Sequence, residues 1–440
     1  MDQDQALAIM KTGASVFLTG EPGSGKSHTV GRYVEYLRSA GVSPAVTAST
    51  GIAATHIGGT TVHSWSGIGI RKELSKKELK GFFRHQGHRR RLRGTEVLII
   101  DEVSMLDAAT LDLVNTVCKK AKNSAWPFGG MQVILVGDFF QLPPVSRGGE
   151  QARFAFESPA WAELEPRILY LTEQHRQDDP DFLSLLQAIR AGDCEEAHFE
   201  HLESRRTGQG QIPDGVTRLY CHNVNVDEVN SRELGKLPGE EAHFRMESWG
   251  DAAQVEKLKG SCTSPETLTL KEGALVMCTR NDFEAGYVNG TLGTVTGFDG
   301  DDGLPLVRSA AGKDFKAEPH DWSVEDNDEV VATVTQVPLR LAWAITIHKS
   351  QGMSLDAAVI DLSRVFECGQ GYVALSRVRS LSGLHLLGMN ARATMVHPEV
   401  AQADAEFRSR SERLEEALAR MSRAELEKQW ERFIEGAGGG

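Results

Sequence analysis

Little in this 440-residue sequence suits a membrane, a secretory route or a zinc site. No apolar run approaches the ~20 residues that cross a bilayer. The start, Met1-Asp-Gln-Asp-Gln5, is acidic and lacks the basic opening and apolar stretch of a signal peptide. The six cysteines, at 118, 194, 221, 262, 278 and 368, are scattered with no C-x-x-C pair. That argues against zinc and for reduced, structural thiols in a cytoplasm. Basic residues are scarcer than acidic ones, 48 against 61, giving a net charge of −13. Taken alone, that total argues against a nucleic-acid binder. What remains is ordinary globular composition, 40% hydrophobic and 25% charged. At about 150 residues per domain, the length suits two to four domains.

One stretch organises the rest. Val16 to Leu18 reads as a buried strand that ends at Gly20 and opens the pattern G-x-x-x-x-G-K-S, Gly20 to Ser27. Glycines let the backbone fold tightly enough for successive N–H groups to line one concavity, and a helix starting near Lys26 adds its positive end. In such a loop Lys26 reaches the β- and γ-phosphates and Ser27 ligates Mg²⁺. The bland alternative is a glycine-rich turn with no ligand. Against it stand the preceding strand, the helix-competent segment Thr29 to Ser39, and partner motifs further on.

The segment 1–165 alternates apolar strands (Val16–Leu18, Ala45–Ala48, Val97–Ile100, Val133–Val136) with helical stretches, an α/β pattern with a covered parallel sheet. A polar, basic insert, Trp65 to Gly94, interrupts it. Its run Arg84 to Arg93 is the strongest local positive charge in an acidic chain, although a lone charge run is usually a solvated loop. Further strands at Ile168–Leu171, Arg218–Tyr220, Ala357–Ile360 and Gly383–Leu387 suggest a second α/β domain, 166–235 with 333–395. Between its halves, residues 236–332 carry short β-like runs and the turn dipeptides Asn289-Gly290 and Asp299-Gly300, the signature of an inserted small β-barrel. The tail, 396–440, has amphipathic helical spacing, and its last residues, Gly436 to Gly440, are expected to be disordered.

Two further strand ends carry chemistry. Val97-Leu-Ile-Ile-Asp101-Glu102 delivers two carboxylates to the carboxyl edge of the sheet, where Asp101 can hold Mg²⁺ and Glu102 can polarise a water. Val133-Ile-Leu-Val-Gly-Asp138-Phe-Phe-Gln141-Leu-Pro-Pro144 ends in a rigid loop whose Gln141 amide can sense a γ-phosphate. The alternative for each is a set of polar residues at a strand end. Their combination with a phosphate loop favours nucleotide hydrolysis.

On these and several other stretches the chain resembles the petite-integration-frequency (PIF) family of superfamily-one DNA helicases. The additional matches are T-A-S-T-G-I-A-A (47–54) with T-V-H-S-W (61–65), L-T-E-Q-H-R-Q (171–177), T-I-H-K-S-Q-G-M-S-L-D (346–356) and Y-V-A-L-S-R-V-R (372–379). D-A-A-T-L-D-L-V (107–114) matches more loosely, with Cys118-Lys-Lys where an Arg-containing run is usual. The resemblance implies two RecA-like domains, a Src-homology-three-like barrel insert, and a helical tail. It implies ATP and Mg²⁺ as cofactors, with Gln3 (or Gln5) reading adenine and Gly23, Ser24, Gly25, Lys26, Ser27, His28 and Gly352 around the nucleotide. It places Arg176 and Arg377 on the γ-phosphate from the second domain, and Tyr372 in core or stacking support. It assigns Thr50, Gly51, His63, Thr346, His348, Lys349 and Ser350 to DNA, and a strand-separating wedge to the insert with Arg89, Arg90 and Arg91.

The first functional reading is therefore a motor that moves 5′-to-3′ on single-stranded DNA, the polarity coming from the resemblance alone. Its partners would be single-stranded and tailed duplex DNA, with G-quadruplexes or RNA–DNA hybrids as further substrates. It would act as a monomer in a bacterial cytoplasm, near the nucleoid. A nucleotide-switched binding module and a motor of the RecD-like group are the alternatives. The complete set of hydrolysis residues favours a motor over a module.

Overall fold

The computed structural model describes residues 1–69, 71, 73–75, 77–79, 86–144, 153–174, 179–208, 211–213, 215–282, 284–309, 311–326 and 329–439. It divides into two compact units: 1–198 with 367–372 and 394–440, and 199–366 with 373–393.

The first unit is built on a six-stranded parallel sheet of β1 (Val16–Gly20), β2 (Ala45–Ala48), β3 (Thr60–Thr61), β4 (Val97–Asp101), β5 (Gln132–Val136) and β6 (Arg167–Leu171). The order is β3-β2-β4-β5-β1-β6. Every residue of β1 and β5 is buried, as expected of strands covered on both faces. Helices of two turns or more in this unit are α1 (Gln3–Met10), α2 (Lys26–Ser39), α3 (Gln86–Gly94), α4 (Ala108–Lys122) and α5 (Pro180–Ala191), and α6 (Glu196–Ser204) starts in it and continues into the second unit from Phe199. Four more follow in the chain: α7 (Asn223–Lys236), α8 (Ala252–Ser261), α9 (Pro398–Ala419) and α10 (Arg423–Gly436).

A boundary read from the sequence is corrected. The strand expected to open the second domain is β6. It pairs with β1 from Val16–Arg167 to Gly20–Leu171, so the first sheet runs past residue 165 and α5 follows it. A five-residue apolar run specifies a buried strand but not its sheet. The tail 396–440 is helical, as expected, and it is integral to the first unit. Phe407 of α9 packs its ring 5.3 Å from Phe17, and Ser411 Oγ accepts from the Tyr170 N–H at 3.0 Å. In α10, Trp430 Nε1 donates to the Ala8 carbonyl at 2.9 Å, and Phe433 and Ile434 join the core of β1, β4 and β5. The expected disorder after 436 is also corrected for the described residues, because the Gly439 N–H donates to Ile434 O at 3.0 Å.

The second unit has its own parallel sheet. Its strands are β7 (Arg218–Tyr220) and three strands from after the insert. The insert contributes β8 (Ala242–Arg245), β9 (Glu247–Gly250), β10 (Thr267–Leu270), β11 (Leu275–Cys278), β12 (Leu292–Phe298), β13 (Pro305–Ser309), β14 (Asp314–Lys316), β15 (His320–Asp326), β16 (Glu329–Gln336) and β17 (Leu339–Leu341). Then come β18 (Ala344–Thr346), β19 (Ala358–Leu362) and β20 (Leu384–Met389), which complete the order β18-β7-β19-β20. The barrel-like part is the antiparallel sheet β14-β13-β12-β11-β17, around a core that includes Val276, Val295, Val307 and Leu339. Because β17 pairs with β11, the insert continues beyond the expected boundary at 332. Both turn dipeptides hold: Gly290 has φ 90°, and Asp299 Oδ1 accepts from the Asp301 N–H at 3.0 Å. Among the described residues no helix is long and apolar enough to cross a membrane.

Candidate nucleotide site and nucleic-acid interface

The sheet order of the first unit puts β4, β5 and β1 side by side and parallel, so their three C-terminal loops share one edge. At the end of β1 the chain takes positive φ at Gly20 (145°), Gly23 (91°) and Gly25 (87°) before α2 begins. A Cβ on Gly20 would lie 2.6 Å from Leu171 O, and one on Gly25 would collide with the Gln3 amide. Lys26 Nζ folds back over the loop, donating to Gly20 O at 2.8 Å and Glu21 O at 3.0 Å. Ser24 Oγ is buried without a hydrogen-bond partner. Ser27 and His28 are exposed on the first turn of α2. A buried orphan hydroxyl and a glycine nest at a helix start fit a bound polyphosphate.

Which glutamine approaches this loop is settled by the cap of α1. Asp2 Oδ1 accepts from the Gln5 N–H at 2.7 Å, while Gln5 Oε1 accepts from the Asp2 N–H at 2.9 Å. Gln5 is thereby committed to its own helix start. Gln3 reaches the loop: Nε2 lies 3.5 Å from Ser24 O, and Oε1 is 2.8 Å from His28 Nδ1.

At the end of β4, Asp101 Oδ1 accepts from the Glu102 N–H at 2.8 Å. Burial pushes its carboxyl up to about 6, opposed by that hydrogen bond and by Lys26. Glu102 sits in the left-handed region, φ 51°, and its carbonyl accepts from Ser49 Oγ at 2.7 Å. A non-glycine residue held there is backbone strain of the kind found at functional sites. Among the described residues no cluster of three or more His, Cys, Asp or Glu could hold a metal. A Mg²⁺ on Ser27 and Asp101 would thus complete its shell with phosphate and water oxygens.

After β5, Gln141 is buried, with its N–H on Asp138 O at 3.0 Å. Asp138 is fully buried against Arg190 of α5, whose Nη1 lies 2.8 and 2.9 Å from the two carboxylate oxygens. Arg190 also donates from Nη2 to Tyr170 OH at 2.8 Å and to Asp404 at 3.3 Å, and from Nη1 to Tyr372 OH at 3.3 Å. Its guanidinium lies 4.0 Å over the Phe140 ring. Reading the sequence did not single out Arg190. The available signal was its position on the buried stripe of α5, four residues after Leu186 and eight after Phe182. Tyr372 is core, one of the two environments expected. Arg176 lies outside the described residues, and the elements on either side of it belong to the first unit, not the second as expected. Nearby, Gln174 Nε2 donates to Glu21 of the phosphate loop at 2.7 Å.

The remaining first-unit residues are placed as follows. Thr50 Oγ1 accepts from the Ala53 N–H at 3.2 Å, capping the helix that begins at Gly51. His63 is half-buried, which lowers its pKa, with Asp107 opposing. Arg89 and Arg90 of α3 are exposed, whereas Arg91 reaches Ser64 O at 3.1 Å. Part of the basic insert, including Arg84, lies outside the described residues.

In the second unit, Thr346 ends β18 and caps the 3₁₀ turn Ile347–Ser350. The Ser350 hydroxyl is buried and donates to Ile347 O at 2.8 Å, so it closes this turn instead of facing outward. His348 and Lys349 are half-buried on the same turn. Gly352 follows with φ 77°. Arg377 is buried, with Nε on Val373 O at 2.9 Å, Nη2 on Ser376 Oγ at 2.8 Å and Nη1 on Met353 O at 3.3 Å.

Residues 2–200 match the PIF1-like helicase profile, and 255–298 match that of the DNA helicase Pif1 2B domain. An ATP-dependent DNA helicase Pif1 of Psychrobacter sp. (strain PRwf-1) is 43% identical, over 100% of this chain and 75% of the relative. The chain belongs to the PIF1-like helicase family.

As a PIF1-like helicase, the chain is an ATP-hydrolysing enzyme of bacterial type. It spans 62% of the length of the Homo sapiens ATP-dependent DNA helicase PIF1, at 40% identity over 91% of this chain. The fold resembles the crystal structure of Pif1 helicase from Candida albicans, with TM-score 0.80, 35% identity, and coverage of 92% of this chain and 98% of the other. It also resembles Bacteroides Pif1 in complex with ADP-AlF3 and ssDNA, with TM-score 0.67, 31% identity, and coverage of 93% and 97%. The five-stranded antiparallel sheet overlaps the 2B match, as the barrel expectation required.

Proposed function

We propose that this helicase moves 5′-to-3′ on single-stranded DNA and opens duplex ahead of it. One observation carries the reading: three motif loops leave the carboxyl ends of adjacent parallel strands β4, β5 and β1. That is where open α/β sheets bind ligands. Bound ATP would supply the phosphoryl transfer whose free energy drives movement. Lys26 and the N–H groups of Gly23 to Ser27 neutralise its phosphates, and Gln3 with His28 faces the base. Ser27 and Asp101 hold Mg²⁺. Glu102, fixed by its strained backbone, orients the water. Gln141 reports the γ-phosphate, and Arg176 and Arg377 offset the charge that develops there. Thr50, Gly51, His63, Thr346, His348 and Lys349 contact the strand, with Ser350 shaping the turn. Exposed Arg89 and Arg90 support the wedge assignment. The resemblance supports G-quadruplexes and RNA–DNA hybrids as further substrates, a monomer in solution, and work at the nucleoid.

Strand separation from duplexes with a 5′ or a 3′ single-stranded tail tests this directly. The 5′-tailed substrate is expected to be unwound, and Glu102→Gln should still bind DNA without unwinding it. Preference for the 3′ tail would reverse the polarity. Unwinding by Glu102→Gln at the native rate would remove Glu102 from the chemistry.

A further inference from the structure

Three aromatic rings lie in a row at one edge of the second unit. His222 stands two residues beyond β7, His348 two beyond β18, and Phe366 four beyond β19. These strands are neighbours in the order β18-β7-β19, and they run parallel, so their carboxyl ends share an edge. The Phe366 ring lies 5.0 Å from that of His222 at 25°, and 6.3 Å from that of His348 at 15°. The planes are thus close to parallel, unlike the edge-on contacts that dominate the phenylalanine cluster around Phe17.

Phe366 is 45% exposed, a large apolar side chain open to water at the ligand edge of the sheet. Its backbone is nevertheless held. Arg392 Nη1 donates to Phe366 O at 2.6 Å, and Asn390 Nδ2 donates to Val365 O at 2.9 Å. Both donors follow β20, the next strand in the sheet. Four strand ends therefore fix one exposed ring among two flat neighbours. A core contact would not need that exposure, and a loose surface phenylalanine would not need that support.

We propose that Phe366, with His222 and His348, forms a stacking platform for the bases of a single strand. Every base has a π-face, so such a platform grips without reading sequence. Stacking is also largely indifferent to salt, and it gives a chain of net charge −13 a hold that does not depend on a broad basic surface. The proposal rests on reading the turn that carries His348 and Lys349 as a DNA contact.

The test compares oligo(dT) with an abasic strand of the same length and backbone. Phe366→Leu keeps an apolar side chain but removes the flat ring. It is expected to weaken oligo(dT) binding by about 5- to 150-fold, the measured worth of one stacked base. Abasic binding should stay within twofold, and Phe366→Trp should retain oligo(dT) affinity. Quenching of a 2-aminopurine in the strand should fall in Phe366→Leu and persist in Phe366→Trp. Loss of both strands to the same extent, or oligo(dT) affinity within twofold of native, would overturn the platform. Lys349→Ala separates the two readings, since a phosphate contact weakens both strands together. If the native protein binds neither strand, the DNA reading falls and the platform with it. If the native protein binds both and Phe366→Leu changes neither, the platform alone falls.

Discussion

Lys349 shows how a single side chain can carry a pH signature. Desolvation pulls its pKa down to about 8, aided by Arg340 of β17 and opposed by Asp227 of α7. The fold thus disfavours the ammonium form. Below pH 8 the charge is held at some cost in stability, and that cost shrinks as pH rises above 8 and is gone only above 10.5, the ordinary lysine value. On the proposed DNA contact, binding has the opposite dependence, because a lysine holds phosphate only when protonated. Single-strand affinity of the native protein should therefore drop between pH 7 and pH 9.5. The log–log salt slope should become shallower by about 0.7, the loss of one phosphate contact. Lys349→Arg should flatten the pH dependence, since a guanidinium stays charged. Fluorescence anisotropy titrations at the two pH values check both expectations, and equal pH dependence in the two proteins would remove Lys349 from the interface.

Among elements, α5 and α9 are tied to the loop after β5 through one buried charge. Removing one partner of a buried ion pair typically costs about 3–5 kcal/mol, because the other charge is left uncompensated. Arg190→Ala should cost in that range, since Asp138 is wholly buried, and chemical denaturation measures it. Asp404→Ala should cost less, as the Asp404 carboxylate keeps some solvent contact and Arg190 retains Asp138. Equal losses would mean that α9 bears more of the charge than its 3.3 Å contact suggests. The strands that feed this region were legible in the sequence because Val97–Ile100 and Val133–Val136 are unbroken apolar runs. The sheet that Ile168–Leu171 joins was not legible, since partner choice depends on a distant segment. Phosphate-loop chemistry was legible from Gly20 to Ser27, where spacing and backbone freedom jointly restrict what can fit. Arg190 was not, because an arginine in the last turn of a helix ordinarily serves the helix dipole at the surface. Strands β8, exposed at alternate residues, and β9, exposed throughout, also escaped, for they lack the apolar density that marks a buried strand.

On the scale of the whole molecule, the proposed reading reconciles the acidic charge with a DNA partner through short local contacts. On that reading turnover draws on both compact units, because the phosphate loop belongs to the first and Arg377 to the second. Such an arginine is worth roughly 10³–10⁵ in rate in related nucleotide hydrolases. Arg377→Ala should cut DNA-stimulated ATP turnover by orders of magnitude while nucleotide affinity changes several-fold at most. Steady-state hydrolysis alongside equilibrium binding of a labelled nucleotide separates these two quantities. Comparable losses in both would make Arg377 a structural residue of its own helix end.

The first unit is also assembled from distant parts of the chain, since α9 and α10 complete a core that β1 and β4 begin. A ribosome releases the N-terminal strands long before those helices exist. At about 5–20 residues per second, the roughly 240 residues after His198 take about 12–48 s to synthesise. Throughout that interval the nascent domain exposes Phe17, Trp161 and the inner face of β6. Newly made chains should therefore recruit chaperones while still tethered, and prematurely terminated ones should be degraded before they can hydrolyse ATP unproductively.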